Sequence, residues 1–201
     1  KDLPTGTDLD NMEADYTVKD GEVLTGISEH NLIIPDGATI TLESAGTLKS
    51  IICKGDAKII LSKGSTNIIN NEDHYGSAIV SMNGKTLTID GEGALVAFGG
   101  QEGAGIGGNG NIVINNGTID AYGGQYGAGI GSDMYSPCGD ITINGGKIKA
   151  VGGDQAAGIG SGQDGECGKI VIKSTVTEVV AIAGDECKNN IGAGVDGKCD
   201  D

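Results

Sequence analysis

One short motif recurs along this chain and constrains its fold more than any other feature. An isoleucine set between small residues, as in the GAGIG segments, returns at uneven intervals. The aligned positions are Ile79, Ile106, Ile130, Ile159 and Ile191. Repeated units of roughly two dozen residues or more are typical of solenoids and other repeat architectures. We therefore align the rest of the chain on these isoleucines.

Apolar columns appear once the units are aligned. The two clearest columns are Leu87, Ile112, Ile141, Ile170 and, two residues later, Ile89, Ile114, Ile143, Ile172. The positions between them carry residues such as Thr88 and Thr142, and this alternation has the period of a β-strand. Each unit therefore holds three short strands separated by turns rich in Gly, Asn and Asp.

Three short strands cannot bury their own apolar side chains, but stacked units can, with equivalent residues about 4.8 Å apart. The pattern predicts an all-β, single-stranded parallel β-helix of about six coils with three short parallel sheets. No segment has the helical period that the crossovers of a βαβ sheet need. We expect residues 1–14 to form an N-terminal arm or cap and residues 15–201 to form the β-helix domain.

The units of the type GAGIG…ITINGGKIKAVGG, together with DYTVKDGEVLTGI near the start, carry a family resemblance from about residue 15 onward. They resemble the Gly-rich repeats of bacterial cell-surface proteins with a right-handed parallel β-helix of the pectin-lyase-like superfold. The resemblance implies an extracellular or cell-surface location and an adhesin-like or glycan-associated role. It also implies an alternative, a polysaccharide lyase or hydrolase related to the pectate lyases, because likeness of fold does not supply an activity.

Charge narrows the range of partners. The formal net charge of −15 argues against nucleic acids and anionic membrane surfaces. No apolar run approaches the roughly 20 residues that span a bilayer, so we expect no membrane insertion of this segment. Because Lys1 is not an initiator methionine, we expect a mature chain trimmed after export.

Catalytic residues are hard to place in this sequence. The lyases that the repeats resemble use clustered carboxylates for calcium and a basic residue, usually arginine, to abstract a proton. This chain has no arginine.

The residues beside the aligned isoleucines form what we term the glycine strip, namely Gly105, Gly107, Gly129, Gly131, Gly158, Gly160 and Gly192. We expect this strip to face outward as a surface without side chains, where another backbone or a flat ligand approaches closely. The alternative is that these glycines only satisfy turn geometry.

Polar and aromatic residues just before the aligned isoleucines form a second candidate surface, the Gln/Tyr ridge. Its members are His74, Tyr75, Gln101, Glu102, Gln125, Tyr126, Asp154, Gln155, Glu186 and Cys187. Beside it lies the ring column of Phe98, Tyr122, Val151 and Ile182. If strand alternation continues to its end, Phe98 and Tyr122 face outward; if the strand end rotates, they belong to the core. Ring faces beside amides and carboxylates are typical of carbohydrate sites.

We therefore expect a non-catalytic module that binds a polysaccharide or glycoconjugate along the glycine strip and the Gln/Tyr ridge. A structural stalk is the third alternative, with self-association end to end through an open last coil. Four acidic residues of the later turns form a weaker candidate calcium site, Asp133, Asp164, Glu166 and Asp196. The alternative for these four is a solvated acidic edge, and we expect no other cofactor.

The five cysteines cannot all pair. Cys138, Cys167 and Cys199 each lie eight residues after an aligned isoleucine, which places them in one column on consecutive coils. This column is interpreted as small buried apolar groups, while a disulfide between neighbours would leave one thiol over. We regard Cys187 and Cys199 as the best disulfide candidates, and we place Cys53 on an inward strand position.

Overall fold

The computed structural model describes residues 6–200 of the chain, and this part contains strands, turns and bends without a helix. In chain order the strands are β1 (Thr7–Asp8), β2 (Tyr16–Thr17), β3 (Glu22–Ser28), β4 (Leu32–Ile34), β5 (Thr39–Thr47), β6 (Ile51–Cys53), β7 (Ala57–Leu61), β8 (Thr66–Asn70), β9 (Ile79–Ser81), β10 (Thr86–Gly91), β11 (Ala94–Phe98), β12 (Ile106–Gly108), β13 (Asn111–Ile114), β14 (Thr118–Tyr122), β15 (Ile130–Gly131), β16 (Ile141–Ile143), β17 (Lys147–Val151), β18 (Ile159–Gly160), β19 (Glu166–Cys167), β20 (Ile170–Ile172), β21 (Glu178–Ile182), β22 (Ile191–Gly192) and β23 (Lys198–Cys199).

These strands form three faces. Face 1 is an eight-stranded sheet in the order β2, β4, β6, β9, β12, β15, β18, β22. Face 2 consists of β7, β10, β13, β16 and β20, and face 3 of β8, β11, β14, β17 and β21. The pairs between successive coils are parallel, so the prediction of an all-β parallel β-helix is confirmed.

Register between coils follows the sequence columns. Ile106 pairs with Ile79 on one side and with Ile130 on the other, and Ile130 in turn pairs with Ile159. All four of these side chains are fully buried. Burying one such side chain contributes roughly 1.5–3 kcal/mol, so the repeated isoleucine column is a main source of stability.

The number of coils differs slightly from the predicted six. Five coils have three separate strands, β6–β7–β8 through β18–β20–β21. In the two coils before them, β3 and β5 each continue from face 2 into face 3 as one strand, and β22 begins an incomplete coil. The long strand β5 turns the corner at Ser44, whose φ of 56° lies in the left-handed region.

The two ends of the solenoid differ in how well their apolar residues are covered. At the first coil, β1 pairs with β3 and the side chain of Leu9 is fully buried. Residues 1–5 of the predicted N-terminal arm lie outside the described residues. At the last coil the aligned isoleucine is exposed to solvent, since Ile191 is 45% exposed whereas Ile159 is buried.

Within residues 6–200 there is no helix of the length and apolarity that crossing a membrane requires.

Candidate functional site

The ring column lies on the outer side of face 3. Leu95 and Ala97 of β11 are buried, whereas Phe98 is only half-buried, as the alternation of a strand requires. Tyr122 is in register with Phe98 on the next coil and is also half-buried. The outward alternative of the sequence analysis is therefore the one that the structure shows.

The two rings face each other across neighbouring coils. The rings of Phe98 and Tyr122 stack with their centroids 5.0 Å apart and an angle of 12° between their planes. From the coil after Tyr122, the Nζ of Lys149 lies 5.3 Å from the centroid of the tyrosine ring and donates a hydrogen bond of 3.2 Å to its hydroxyl. That hydrogen bond raises the pKa of Lys149. Both faces of Tyr122 and one face of Phe98 are therefore in contact with neighbouring side chains.

A groove runs beside these rings, where the chain leaves face 3. Its floor is backbone, formed by Gly99 and Gly100 in one coil and Gly123 and Gly124 in the next. A Cβ atom at Gly124 would collide with the carbonyl oxygen of Gly100. The groove has a volume of about 230 Å³, and its glycines allow neighbouring backbone segments to pack closely beneath it.

Polar side chains line the walls of this groove. Gln101 and Gln125 are exposed, and within residues 6–200 neither side chain makes a hydrogen bond. Glu72 completes the wall and accepts a hydrogen bond of 3.3 Å from the side chain of Asn70. The sequence analysis missed Glu72 because its coil lacks the Gly-Gly pair. The signal was Asn70, which is in register with Phe98.

The Gln/Tyr ridge is only partly brought together. Gln101 and Gln125 of the ridge line the groove together with Phe98 and Tyr122 of the ring column. The other members of the ridge do not line it: His74, Tyr75, Glu102, Tyr126, Asp154, Gln155, Glu186 and Cys187. Among these, Gln155 donates a hydrogen bond of 2.6 Å to Glu186, so its amide is already partnered.

The glycine strip is not the open surface that we predicted. Apart from Gly192, its members are buried. A Cβ atom at Gly105 would lie 2.7 Å from the backbone nitrogen of Tyr122 and 2.8 Å from the carbonyl oxygen of Gly129. These glycines let neighbouring backbone segments approach, so the space that we assigned to a ligand is filled by the chain itself.

A carboxylate fixes the turn that covers part of the glycine strip. The Oδ1 of Asp133 accepts hydrogen bonds from the hydroxyl of Ser77 at 2.5 Å and from the backbone N–H of Ala104 at 2.7 Å. These residues belong to three successive coils. Burial raises the pKa of Asp133, while the two hydrogen bonds act in the opposite direction. Asp133, predicted as a weak calcium ligand, is therefore a cross-link between coils.

The other predicted calcium ligands serve the same turns. Asp164 and Asp196 have φ values of 50° and 55°, and Tyr135 occupies the equivalent left-handed position with φ of 55°. Glu166 is exposed on β19. Among residues 6–200 no three His, Cys, Asp or Glu side chains are placed to hold a metal ion together, so the structure does not gather the four predicted ligands.

The disulfide is not the one that we favoured. Cys199 is bonded to Cys167, and Cys187 is free, so the prediction of a Cys187–Cys199 pair is wrong. Cys53 and Cys138 are free and buried, and burial raises the pKa of each thiol to about 12. The column of cysteines is real, since Cys167 and Cys199 are register partners in β19 and β23.

Comparison with known proteins supports the architecture. A family model described as a beta helix repeat matches residues 112–133 and 141–163. These two segments begin within β13 and at β16, one coil apart, and they contain the aligned residues Ile130 and Ile159. Neither the curated proteins nor the solved structures include a match to the chain.

Proposed function

We propose that this β-helix is a non-catalytic extracellular module that binds an extended polysaccharide or glycoconjugate, neutral or amine-bearing, along the groove of face 3. The observation that carries the proposal is the groove itself, with a floor of glycine backbone and walls that include Gln101 and Gln125. A bacterial cell-surface setting and an adhesin-like role belong to the same proposal.

The spacing of the groove suits a linear polymer. Equivalent groups on successive coils lie about 4.8 Å apart. An extended glycan chain advances by a similar distance with each sugar, so one sugar can face each coil. The Gly-Gly pair recurs in the sequence at Gly152 and Gly153 on the following coil, although these two residues do not line the groove. Weak contacts repeated in this way add up to useful avidity.

The chemistry of the walls favours hydrogen bonding over ring stacking. The ring faces of Phe98 and Tyr122 are turned toward each other and toward Lys149. The two glutamine amides have both donors and acceptors and no partner in the described part of the chain, so they are available to sugar hydroxyls. The ring edges then form an apolar border.

Charge decides between classes of glycan. The net charge is −15, and Glu72 lines the groove with Glu102 adjacent to Gln101 in sequence. A polyuronide would be repelled by this field, whereas a neutral or amine-bearing glycan would not. We therefore place polyuronides, the substrates of the lyase alternative, outside the expected ligands.

Binding to a panel of soluble polysaccharides tests the proposal, with a neutral β-glucan, a mannan, chitosan and polygalacturonate as probes. We expect wild type to bind a neutral or amine-bearing glycan, and a Gln101→Ala, Gln125→Ala double variant to lose roughly tenfold or more in affinity, since each hydrogen bond contributes about 1 kcal/mol. Thr142→Ala, outward on face 2, is the matched control and should bind as wild type does.

Two results would contradict the proposal. Equal binding by the double variant and wild type would remove the groove as the site. Release of new reducing or unsaturated ends from polygalacturonate would favour the enzyme alternative instead. End-to-end self-association remains a prediction, and sedimentation of the same samples without glycan would reveal it.

A further inference from the structure

Three cysteines lie in one column, and the backbone treats both neighbouring pairs alike. The N–H of Gly168 donates to the carbonyl oxygen of Cys138 at 3.2 Å, and one coil later the N–H of Asp200 donates to that of Cys167 at 3.0 Å. The N–H of Cys138 also donates to Glu166 at 2.8 Å. Cys138 therefore stands to Cys167 as Cys167 stands to Cys199.

The side chains share one environment as well. Cys138 and Cys167 are 6% and 4% exposed and belong to the same buried core, against which Cys199 packs. The Cα atoms of the bonded pair are 4.5 Å apart, and neighbouring strands in a parallel sheet are spaced about 4.8 Å apart. Both distances lie in the range that a disulfide bridges. Cys167 thus has a cysteine at the equivalent register position on each side and can bond to only one of them.

We infer that Cys138, Cys167 and Cys199 form an exchange column with two alternative disulfides, and that Cys199 is a site for mixed-disulfide modification. In the exchange, the thiolate of Cys138 attacks the Sγ of Cys167. A Cys138–Cys167 bond forms, the Cys167–Cys199 bond breaks, and the electron pair leaves with the Sγ of Cys199. Solvent takes the proton from Cys138 and returns one to Cys199, so no oxidant or reductant is consumed.

The order of the cysteines along the axis suits this reaction. Cys138 lies on the coil before Cys167 and Cys199 on the coil after it, so the attacking and leaving sulfurs are on opposite sides of the central one. The thiol of Cys138 is unreactive in the folded state. Its Sγ contacts the carbonyl oxygen of Gly110 at 3.8 Å, and burial raises its pKa to about 12. Exchange therefore requires the thiol of Cys138 to leave this contact and lose its proton.

The consequence is local to the end of the solenoid. Exchange frees β23 from its covalent attachment and leaves a thiol on Cys199, which is only partly buried. That thiol can attack a small disulfide such as oxidised glutathione. A bond then forms between Cys199 and one glutathione sulfur, and the other glutathione leaves as the thiolate. The inference is independent of glycan binding at face 3.

Disulfide mapping of the intact chain tests the inference. Wild type is incubated with oxidised glutathione at about pH 8.5, where ordinary thiols ionise, quenched with acid and mapped by mass spectrometry without reduction. We expect peptides with a Cys138–Cys167 bond and glutathione on Cys199. Cys138→Ser should retain Cys167–Cys199 and modify Cys199 roughly tenfold more slowly or less. Cys53→Ser, which removes a buried thiol elsewhere, is the control and should behave as wild type.

A second variant approaches the column from the other end. Cys199→Ser leaves Cys138 and Cys167 as the only pair in the column, and we expect them to form a disulfide in air-oxidised protein. The inference is overturned if both remain reduced in this variant. It is also overturned if Cys199 is modified equally fast in wild type and Cys138→Ser, or if wild type retains only the Cys167–Cys199 bond.

Discussion

The glycine strip of face 1 and the groove of face 3 are both lined by glycine, yet one is closed and the other open. Gly131 of the strip is buried against the carbonyl oxygen of Gly160 on the next coil. In the groove, Gly123 and Gly124 form a floor between exposed side chains. In both regions glycine allows the close approach of neighbouring backbone, and the groove differs from the strip in the exposed side chains that stand beside it.

The largest expected effect comes from filling the closed strip. Gly131→Ala places a Cβ against the oxygen of Gly160 at a residue whose φ is 143°, and we expect it to lower the free energy of unfolding by about 2–4 kcal/mol. Gly192→Ala is the matched control, because its φ is 124° but its Cβ would meet only the Cβ of Asn189 at 3.8 Å. It should cost about 1 kcal/mol from the backbone alone.

Urea denaturation of the two variants against wild type measures the difference. Equal losses would mean that the strip is not packed against the next coil, and the comparison with the open groove would then fail.

The next effect concerns the turn over the strip. Asp133→Ala removes the acceptor for Ser77 and for the N–H of Ala104, and we expect a loss of about 1–3 kcal/mol in the free energy of unfolding because buried donors are left unpaired. Asp133→Asn retains one acceptor oxygen and should lose less. If the alanine variant were as stable as wild type, the turn would not depend on this cross-link.

A smaller effect is expected at the border of the groove. Tyr122→Ala removes the stack on Phe98, and we expect a loss of about 1 kcal/mol beyond that of buried area. Tyr122→Phe keeps the stack and loses only the hydroxyl that Lys149 contacts, so its denaturation midpoint should stay close to that of wild type. A larger loss for Tyr122→Phe than for Tyr122→Ala would show that the hydroxyl, and not the ring, holds this column.

The smallest effect is a pH dependence. Burial raises the pKa of Asp133, so the folded state binds a proton more readily than the unfolded state does. Its contribution to stability is therefore complete below the unfolded pKa and is lost as pH rises through the folded pKa. The stability of wild type minus that of Asp133→Asn should fall over this window, as measured by urea denaturation at a series of pH values. A difference that rises instead would mean that the hydrogen bonds outweigh burial.

The sequence predicts the stacked columns of core residues, but it does not predict which residues cover the glycine strip. Period-2 alternation and the spacing of Ile106, Ile130 and Ile159 predict the stacked coils, because the core side chains alone determine that register. Burial of the glycine strip depends on contacts across three coils, such as those of Asp133, and no local pattern encodes them. Strand alternation placed Phe98 and Tyr122 outward, but their mutual stacking follows from register at the strand end.

The disulfide shows the same limit. Column position places Cys138, Cys167 and Cys199 together, whereas the expectation that a disulfide closes the last turn favours the wrong partner, Cys187. In a solenoid, the neighbour in space is one coil away in sequence, so the column is the better guide.

One NMR titration tests the contrast between strip and groove most directly. A neutral oligosaccharide selected by the polysaccharide panel is added to isotope-labelled protein, and amide resonances of both regions are followed. We expect shifts in the side-chain amides of Gln101 and Gln125 and in the backbone amide of Gly124, with the resonances of Gly107 and Gly131 unchanged. Shifts at Gly107 and Gly131 with unmoved glutamines would contradict it.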